Sequence, residues 1–239
     1  VSRIDVENVN FAYGEEQILS DVSLSVKKGE ILGIHGRSGS GKSTLLKLLM
    51  RFYDADQGAV RIDGRDVRTM GLHELRKRFG TVFQNDTIFE DTIMENINMG
   101  RELSEEAVME AVLYGRASEF VEEKGGISAQ LDIKGANLSG GQKQRILIAR
   151  ALAAKPDILI LDDSSSALDY KTDAALRKEL REHFAETTCV IIAQRISSIM
   201  NSDQIMVLED GQMIGYGTHQ ELMETCEIYR EIGKSQMGI

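Results

Sequence analysis

One segment, Gly36-Arg37-Ser38-Gly39-Ser40-Gly41-Lys42-Ser43-Thr44, constrains the fold more than any other. It has the spacing G-x-x-x-x-G-K-[ST]. It stands between a short apolar run, Ile31 to Ile34, and a stretch with helical leucine spacing at Leu45, Leu46, Leu48 and Leu49. Strand, glycine-rich loop and helix in that order form the context that a phosphate-cradling loop requires. Glycines allow successive backbone N–H groups to turn toward phosphate oxygens, and the helix N-terminus adds positive potential. Lys42 is expected to reach the β- and γ-phosphates of a nucleoside triphosphate, and the Ser43 hydroxyl to hold Mg²⁺.

The rest of the pattern places this loop in an α/β protein. Ile4, Val6 and Val9, then Val22, Leu24 and Val26, alternate with polar residues around a turn at Gly14, which predicts antiparallel strands with one wet face. The helix after the loop is expected over Lys42 to Phe52, and a further strand over Gly80 to Phe83. From Asn85 to Ala153 the pattern is helical, with Ser104, Glu105 and Glu106 forming a cap and acidic first turn. Ile158 to Leu161 and Val190 to Ala193 are continuous apolar runs suited to a sheet covered on both faces. Leu176, Leu180 and Phe184 recur at helical spacing. Ile205 to Leu208, Asp210-Gly211 and Met213 to Tyr216 predict a hairpin, and Gln220 to Ile232 a terminal helix. Alternating strands and helices argue a parallel core.

Composition removes several classes. With 42% hydrophobic and 28% charged residues, the 239-residue chain is neither disordered nor fibrous. No run approaches the roughly 18 apolar residues of a membrane span. A net charge of −10 repels a polyanion, so nucleic acid is not an expected partner. Cys189 and Cys226 are far apart and outside any C-x-x-C, so a reducing setting is expected and Cys189 belongs to an apolar core run. His73 and His183 lack ligand partners in sequence, and His35 is expected to pack at a strand end. The chain opens at Val1, not Met, and is expected to be a piece of a longer protein.

Two further segments carry chemistry. Asp162 ends the run Ile158-Leu159-Ile160-Leu161, where a carboxylate is positioned to hold Mg²⁺, usually through water. Leu138-Ser139-Gly140-Gly141-Gln142 opens the helical segment Lys143-Gln144-Arg145-Ile146, a second anion-binding helix start. One domain has little use for two cradles around one nucleotide, so the second is expected to serve a nucleotide on another subunit.

With these motifs the chain resembles, over essentially its whole length, the nucleotide-binding domain of ATP-binding-cassette (ABC) transporters. The resemblance implies a P-loop NTPase (RecA-like) parallel-sheet core with an N-terminal antiparallel β-subdomain and an inserted helical subdomain. It divides the single domain 1–239 into an ATP-binding core, residues 1–84 and 156–239, and a helical subdomain, residues 85–155, that carries the signature. The cofactors implied are ATP and Mg²⁺. Tyr13, in Phe11-Ala12-Tyr13-Gly14, matches the aromatic that stacks on adenine, and Gln84 matches the glutamine that senses Mg²⁺ and the γ-phosphate. Ser166-Ala167-Leu168-Asp169 matches the loop that crosses the dimer, and Ser139, Gly140, Gly141 and Gln142 the signature that closes on a partner's ATP.

Finer likenesses point to the exporter branch: Arg51-Phe52-Tyr53-Asp54, Ile62-Asp63-Gly64, Thr92-Ile93-Met94-Glu95-Asn96-Ile97 and Gly217-Thr218-His219-Gln220-Glu221-Leu222. In that branch the domain follows membrane-spanning helices of the same polypeptide and works at the cytoplasmic face of the cell (inner) membrane.

The sequence departs from the pattern at three places. Asp163 stands where hydrolysing members carry Glu. Its carboxylate is one methylene shorter, about 1.5 Å farther from an attacking water. A misplacement near 1 Å costs on the order of a hundredfold in rate. Gln194 stands where a His is expected; an amide can hydrogen-bond a γ-phosphate but cannot take up and return a proton. Asp132 and Ile133 replace a Gly-Glu pair ahead of the signature. The first two departures fall in one composite site. They lead to the expectation of a heterodimeric exporter half, with a slow site at its own Walker motifs (Gly36 to Thr44 and Ile158 to Asp162) and an intact signature serving a different chain that keeps Glu and His. The alternatives are a fully active homodimer and a soluble ABC ATPase outside transport.

Overall fold

The computed structural model describes residues 3–37, 39–163 and 166–238. Strands β1 (Arg3–Tyr13) and β2 (Glu16–Lys27) pair antiparallel around Gly14. Their alternation decides which side is buried: Ile4, Val6, Val9, Val22, Leu24 and Val26 all face inward. Strand β3 (Ile31–Gly36) leads into the glycine loop and helix α1 (Lys42–Leu49). Strands β4 (Gln57–Ile62) and β5 (Arg65–Asp66) form a hairpin across Asp63-Gly64 and complete a sheet of order β2-β1-β4-β5.

Helix α2 (Leu72–Arg76) and strand β6 (Phe79–Val82) come next. The helical stretch comprises α3 (Ile93–Asn98), α4 (Glu105–Tyr114), α5 (Ser118–Glu123) and α6 (Gly140–Ala153). Then come β7 (Ile158–Asp162), α7 (Tyr170–His183), β8 (Thr188–Ile192), β9 (Gln204–Glu209), β10 (Gln212–Gly217), α8 (His219–Thr225) and α9 (Glu227–Met237). The second sheet has the order β10-β9-β3-β8-β7-β6. Its five strands from β9 to β6 run parallel, and β10 pairs antiparallel at one edge.

This sheet is buried on both faces, as its continuous apolar strands require. Ile158, Ile160, Val190, Ile192, Met206 and Leu208 pack with α1 and the antiparallel sheet. The intervening residues Leu159, Leu161, Cys189, Ile191, Ile205 and Val207 pack with the helices on the opposite side. Cys189 is therefore core, its thiol pushed up to about 12 by burial. Among the described residues no helix is long and apolar enough to cross a membrane.

Several boundaries differ from the sequence expectation. Helix α1 stops at Leu49, not Phe52: Arg51 turns left-handed (φ 57°) and the Phe52 amide closes back on the Lys47 carbonyl (2.8 Å). The stretch from Asn85 becomes helical only at Ile93, capped by Thr92. The terminal helix is two helices, because Cys226 takes an extended conformation (φ −112°, ψ 104°) between them. A capping box of Thr218 and Glu221 opens the first, and fully buried Tyr229 draws in the second. Strands β4 and β5 and helix α2 carry too short a periodic signal to read from the sequence.

The β9–β10 turn is where the sheet reaches the glycine loop. Asp210 and Gly211 both have positive φ (49° and 76°), as a two-residue hairpin requires. The Gly211 amide donates to the Ser40 carbonyl (3.0 Å) and its carbonyl accepts from the Ser20 amide (2.9 Å). Glu209 pairs with Arg37 (3.3 Å). A Cβ on Gly211 would collide with the Ile18 carbonyl. Gly211→Ala is therefore expected to lower unfolding stability by more than about 1 kcal/mol, read from the urea midpoint. It should also weaken nucleotide binding, because the strained turn lets go of Ser40.

Candidate functional site

Four parallel strands, β3, β8, β7 and β6, lie side by side, and the residues beyond their C-terminal ends converge. This is the edge at which open α/β sheets bind ligands. The glycine loop follows β3, Asp162 ends β7, Gln84 lies two residues beyond β6, and Gln194 two beyond β8. Together with Gly39, Gly41, Lys42, Ser43, Thr44 and Asp163 they line one cleft of about 260 Å³.

The loop geometry suits an anion. Gly41 caps α1 with φ 102° and no side-chain cap, and the first turn holds no acidic residue, so the opening N–H groups are not taken up by a carboxylate. A Cβ at Gly41 would press on the end of the Leu19 side chain and come within 3.2 Å of the Ile18 carbonyl, but it is the φ of 102° that calls for glycine. Lys42 donates its Nζ to the Gly36 carbonyl and stands half-buried. Burial lowers its pKa, while Asp163 and Asp162 pull it back up. Ser40 and Thr44 are buried in the loop and first turn, and Arg37 points outward to Glu209. Ser38 lies outside the described residues.

Asp162 is 5% exposed. Burial, and then the neighbouring Asp163 charge, raise its pKa, against the pull of Lys42 and a hydrogen bond from Ser43. A buried carboxylate beside a second one, with a serine hydroxyl and a glutamine amide at hand, is a donor set fitted to a hard divalent cation such as Mg²⁺. Asp163 sits in the left-handed region (φ 53°), which a short acidic residue tolerates better than a longer one. Its amide donates to the Ile192 carbonyl (2.8 Å) and its Oδ2 accepts from Gln84 Nε2 (3.4 Å).

Tyr13 stands beside the loop, its hydroxyl 3.5 Å from Thr44 Oγ1. Its ring lies edge-on to Phe11 and Tyr53, with centroids at 4.9 and 5.3 Å. His35 is buried in the strand leading to the loop, its Nδ1 at 3.1 Å from the Ala193 carbonyl, and burial holds its pKa low.

The signature residues are elsewhere. Ser139 caps α6 by accepting from the Gln142 amide (3.1 Å), and Gln142 Oε1 accepts from the Ser139 amide (3.0 Å). Gly140 and Gly141 line an open depression with Ala167, Leu168 and Asp169. Ala167, Leu168 and Asp169 thus lie beside the signature of the same chain; the Ser166 amide donates to the Asp163 carbonyl (3.3 Å) and Asp169 caps α7. Asp132 and Ile133 are exposed on a short 3₁₀ turn, with Ile133 64% exposed.

Sequence reasoning missed what holds the segment after β8. Asp173 on α7 is 2% exposed, accepts from Ser198 Oγ (2.7 Å), and faces Arg195 (3.5 Å) and Arg177 (3.6 Å). The Arg195 guanidinium also lies over the Tyr170 ring (4.9 Å). The segment that carries Gln194 is thereby tied to the helix that Asp169 opens. Ser198 lies 25 residues from Asp173 in the chain, so no local spacing reveals the contact.

The family model described as ABC transporter matches residues 19–166. A probable ABC transporter ATP-binding/permease protein of Haemophilus influenzae is 49% identical over 89% of the chain, which covers 39% of that protein. An ATP-dependent lipid A-core flippase of Francisella tularensis is 39% identical over 97% of the chain, again 39% of that protein. The solved structure of a bacterial Atm1-family ABC exporter with ATP bound superposes with a TM-score of 0.93 at 35% identity, over 98% of this chain and 42% of that one. The chain spans about two-fifths of the length of these relatives.

The charge arrangement yields a test without turnover. Asp162 has a folded pKa above its unfolded value, so its contribution to stability is greatest at acid pH and is lost as pH rises through the folded pKa. Asp162→Asn is expected to raise the melting temperature of the nucleotide-free chain at pH 7 and to abolish the further rise given by Mg-ATP. Thermal melts with and without Mg-ATP check both.

Proposed function

The chain belongs to the ABC transporter family as its ATP-binding domain, and from that premise we propose that it is the slow-site half of a heterodimeric exporter. On this reading Gly36 to Thr44 bind the triphosphate, with Ser38 among them, Tyr13 supports the base, and Ser43, Asp162 and Gln84 hold Mg²⁺, partly through water. The bound cation would supply charge neutralisation for the phosphates and for the Asp162–Asp163 pair. Asp163 orients the attacking water from a shortened reach, and Gln194 donates to the γ-phosphate. Residues 85–155 are the helical subdomain that carries the signature, and residues 1–84 with 156–239 are the ATP-binding core.

The observation that carries the proposal is the sharing of one cleft by Asp163 and Gln194, while Ser139 to Gln142 lie outside it with their capping box formed. Both departures therefore weaken the site built on this chain's own Walker residues. The signature remains able to offer Gly140, Gly141 and the N-terminus of α6 to ATP on a second nucleotide-binding chain, one that keeps Glu and His. The names of the relatives support transmembrane helices in the same polypeptide and work at the cytoplasmic face of a membrane. The acidic balance disfavours a nucleic-acid partner.

Phosphate release at saturating Mg-ATP, over a range of protein concentration, tests the reading. The native chain is expected to be nearly silent. Asp163→Glu with Gln194→His is expected to raise turnover on the order of a hundredfold, by restoring reach and a proton-accepting ring. Brisk native hydrolysis rising more steeply than linearly with protein would establish the fully active homodimer instead.

A further inference from the structure

We infer that Gln236, near the end of α9, is a positioning residue for ATP recognition: its amide holds the segment after β8 so that Gln194 faces the phosphate cleft. The inference rests on the proposed role of Gln194. Gln236 Nε2 donates to the Gln194 carbonyl (2.7 Å), and Gln236 Oε1 accepts from the Ile196 amide (2.8 Å). One side chain thus spans Arg195 and fixes the backbone on both sides of it.

The segment needs such a brace. The parallel ladder of β8 ends at Ile192, and the Ala193 amide donates to the Ile34 carbonyl (3.2 Å). The 3₁₀ turn Ile196–Ser198 then begins with no side-chain cap from its own N-cap residue, Arg195. Its first amide is taken instead by a residue 40 positions away. Gln236 does for this turn what a local Ser or Asp does elsewhere, and it reaches further back, to Gln194 itself.

The brace is anchored. Tyr229, Gly233 and Gln236 recur at i, i+4 and i+7 on one face of α9. Tyr229 is fully buried and bonds His219 Nδ1 through its hydroxyl (2.7 Å). Its ring stands edge-on to His35 at 6.2 Å, and His35 in turn reaches the Ala193 carbonyl. Gly233 is buried against Ile196, whose Cδ1 lies 3.5 Å from where a Cβ would be. The same helix face therefore supports the segment from Ala193 to Ile196 at several points, and only its last member bonds the backbone of Gln194.

The amide is chemically specific. Gln presents one donor group and one acceptor at the end of a three-carbon reach. Glu keeps the acceptor for Ile196 and sets a carboxylate against the Gln194 carbonyl. Met keeps the length and offers neither. A loosened Gln194 matters only to a ligand with a γ-phosphate, so the consequence is selective for ATP over ADP.

The test is the pair of dissociation constants for Mg-ATP and Mg-ADP, measured by calorimetry on the 239-residue chain and on Gln236→Met, Gln236→Glu, Gln194→Ala and Gln194→Ala/Gln236→Met. Gln236→Met and Gln236→Glu are expected to weaken Mg-ATP about tenfold with Mg-ADP little changed. The double variant is expected to bind Mg-ATP no more weakly than Gln194→Ala alone. Equal weakening of both nucleotides, or a Gln236→Met effect that persists undiminished beside Gln194→Ala, overturns the inference in favour of a general structural role. A selective loss in Gln194→Ala with none in either Gln236 variant overturns the inference alone. No selective loss in Gln194→Ala overturns the reading of Gln194 and the inference with it. If Gln236→Met does not fold, Gln236→Glu, which keeps the bond to Ile196, decides the same question.

Discussion

The cleft depends on four parallel strands ending on one edge. Parallel pairing forces every crossover to return the chain to the same starting side, so the residues after each strand are delivered to the same place. The glycine loop, Asp162, Gln84 and Gln194 are far apart in sequence and share no local pattern. They meet because β3, β7, β6 and β8 are neighbours in register, with Leu32 opposite Val190 and Leu159 opposite Cys189. The burial of both faces, through alternate residues of the same apolar runs, makes this register costly to shift. Displacing β7 by one residue would exchange Ile160 for Leu161 between two differently shaped cores and carry Asp162 away from Ser43.

That scaffold holds a charge arrangement in which two neighbouring carboxylates face one lysine. Asp162 is buried beside Asp163, and half-buried Lys42 lies between the attraction of both and the cost of its own desolvation. In a medium of low dielectric, two carboxylates with one cation leave net negative charge where a dication is best received. The uncapped start of α1 leaves positive potential a few residues away. Neither feature adds to the stability of the fold by itself. Together they form a site whose two halves suit opposite ends of a metal–triphosphate, which is how a fold at marginal stability comes to gain from its ligand.

The parts legible in the sequence are those set by local rules. The glycine loop, the apolar runs of β7 and β8, the Asp210-Gly211 hairpin and the Ser104 cap each express a turn, a period or a cap within a few residues. The fold class followed from their alternation. What escaped was set at long range or by short elements. Strand β4 is held by β1, from a distant part of the chain, through pairs such as Val6 with Val60. The break at Cys226 reflects where Tyr229 must go, not the helical propensity of Gln220 to Ile232. In the site, the Walker residues and Gln84 were readable as motifs. Asp173, Arg195, Ser198 and Gln236 act by contacts that no spacing encodes. Tyr13 could be named by its motif, but its packing against Phe11 and Tyr53 could not.

On the proposed reading, the division of labour between a slow cleft and a working signature comes from how separately the two are built. The cleft takes its precision from strand ends and from the segment between Ala193 and Ser198. The signature takes its own from a capping box that closes on itself within α6, where Ser139 and Gln142 satisfy each other without help from the cleft. Substituting Asp for Glu at position 163, or Gln for His at 194, removes reach and a titratable ring from the first and leaves every bond of the second intact. The physical link between them is α7: Asp169, beside the signature, caps it, and its Asp173 grips Arg195 and Ser198 in the segment after β8. On that reading, a γ-phosphate sensed at Gln194 would be mechanically connected through α7 to the loop proposed to meet the second chain, even with slow chemistry at Asp163. A chain built this way can still report ATP occupancy to its partner after giving up most of its own hydrolysis. This gives a physical reason for a binding-competent, slow site to persist beside an intact signature.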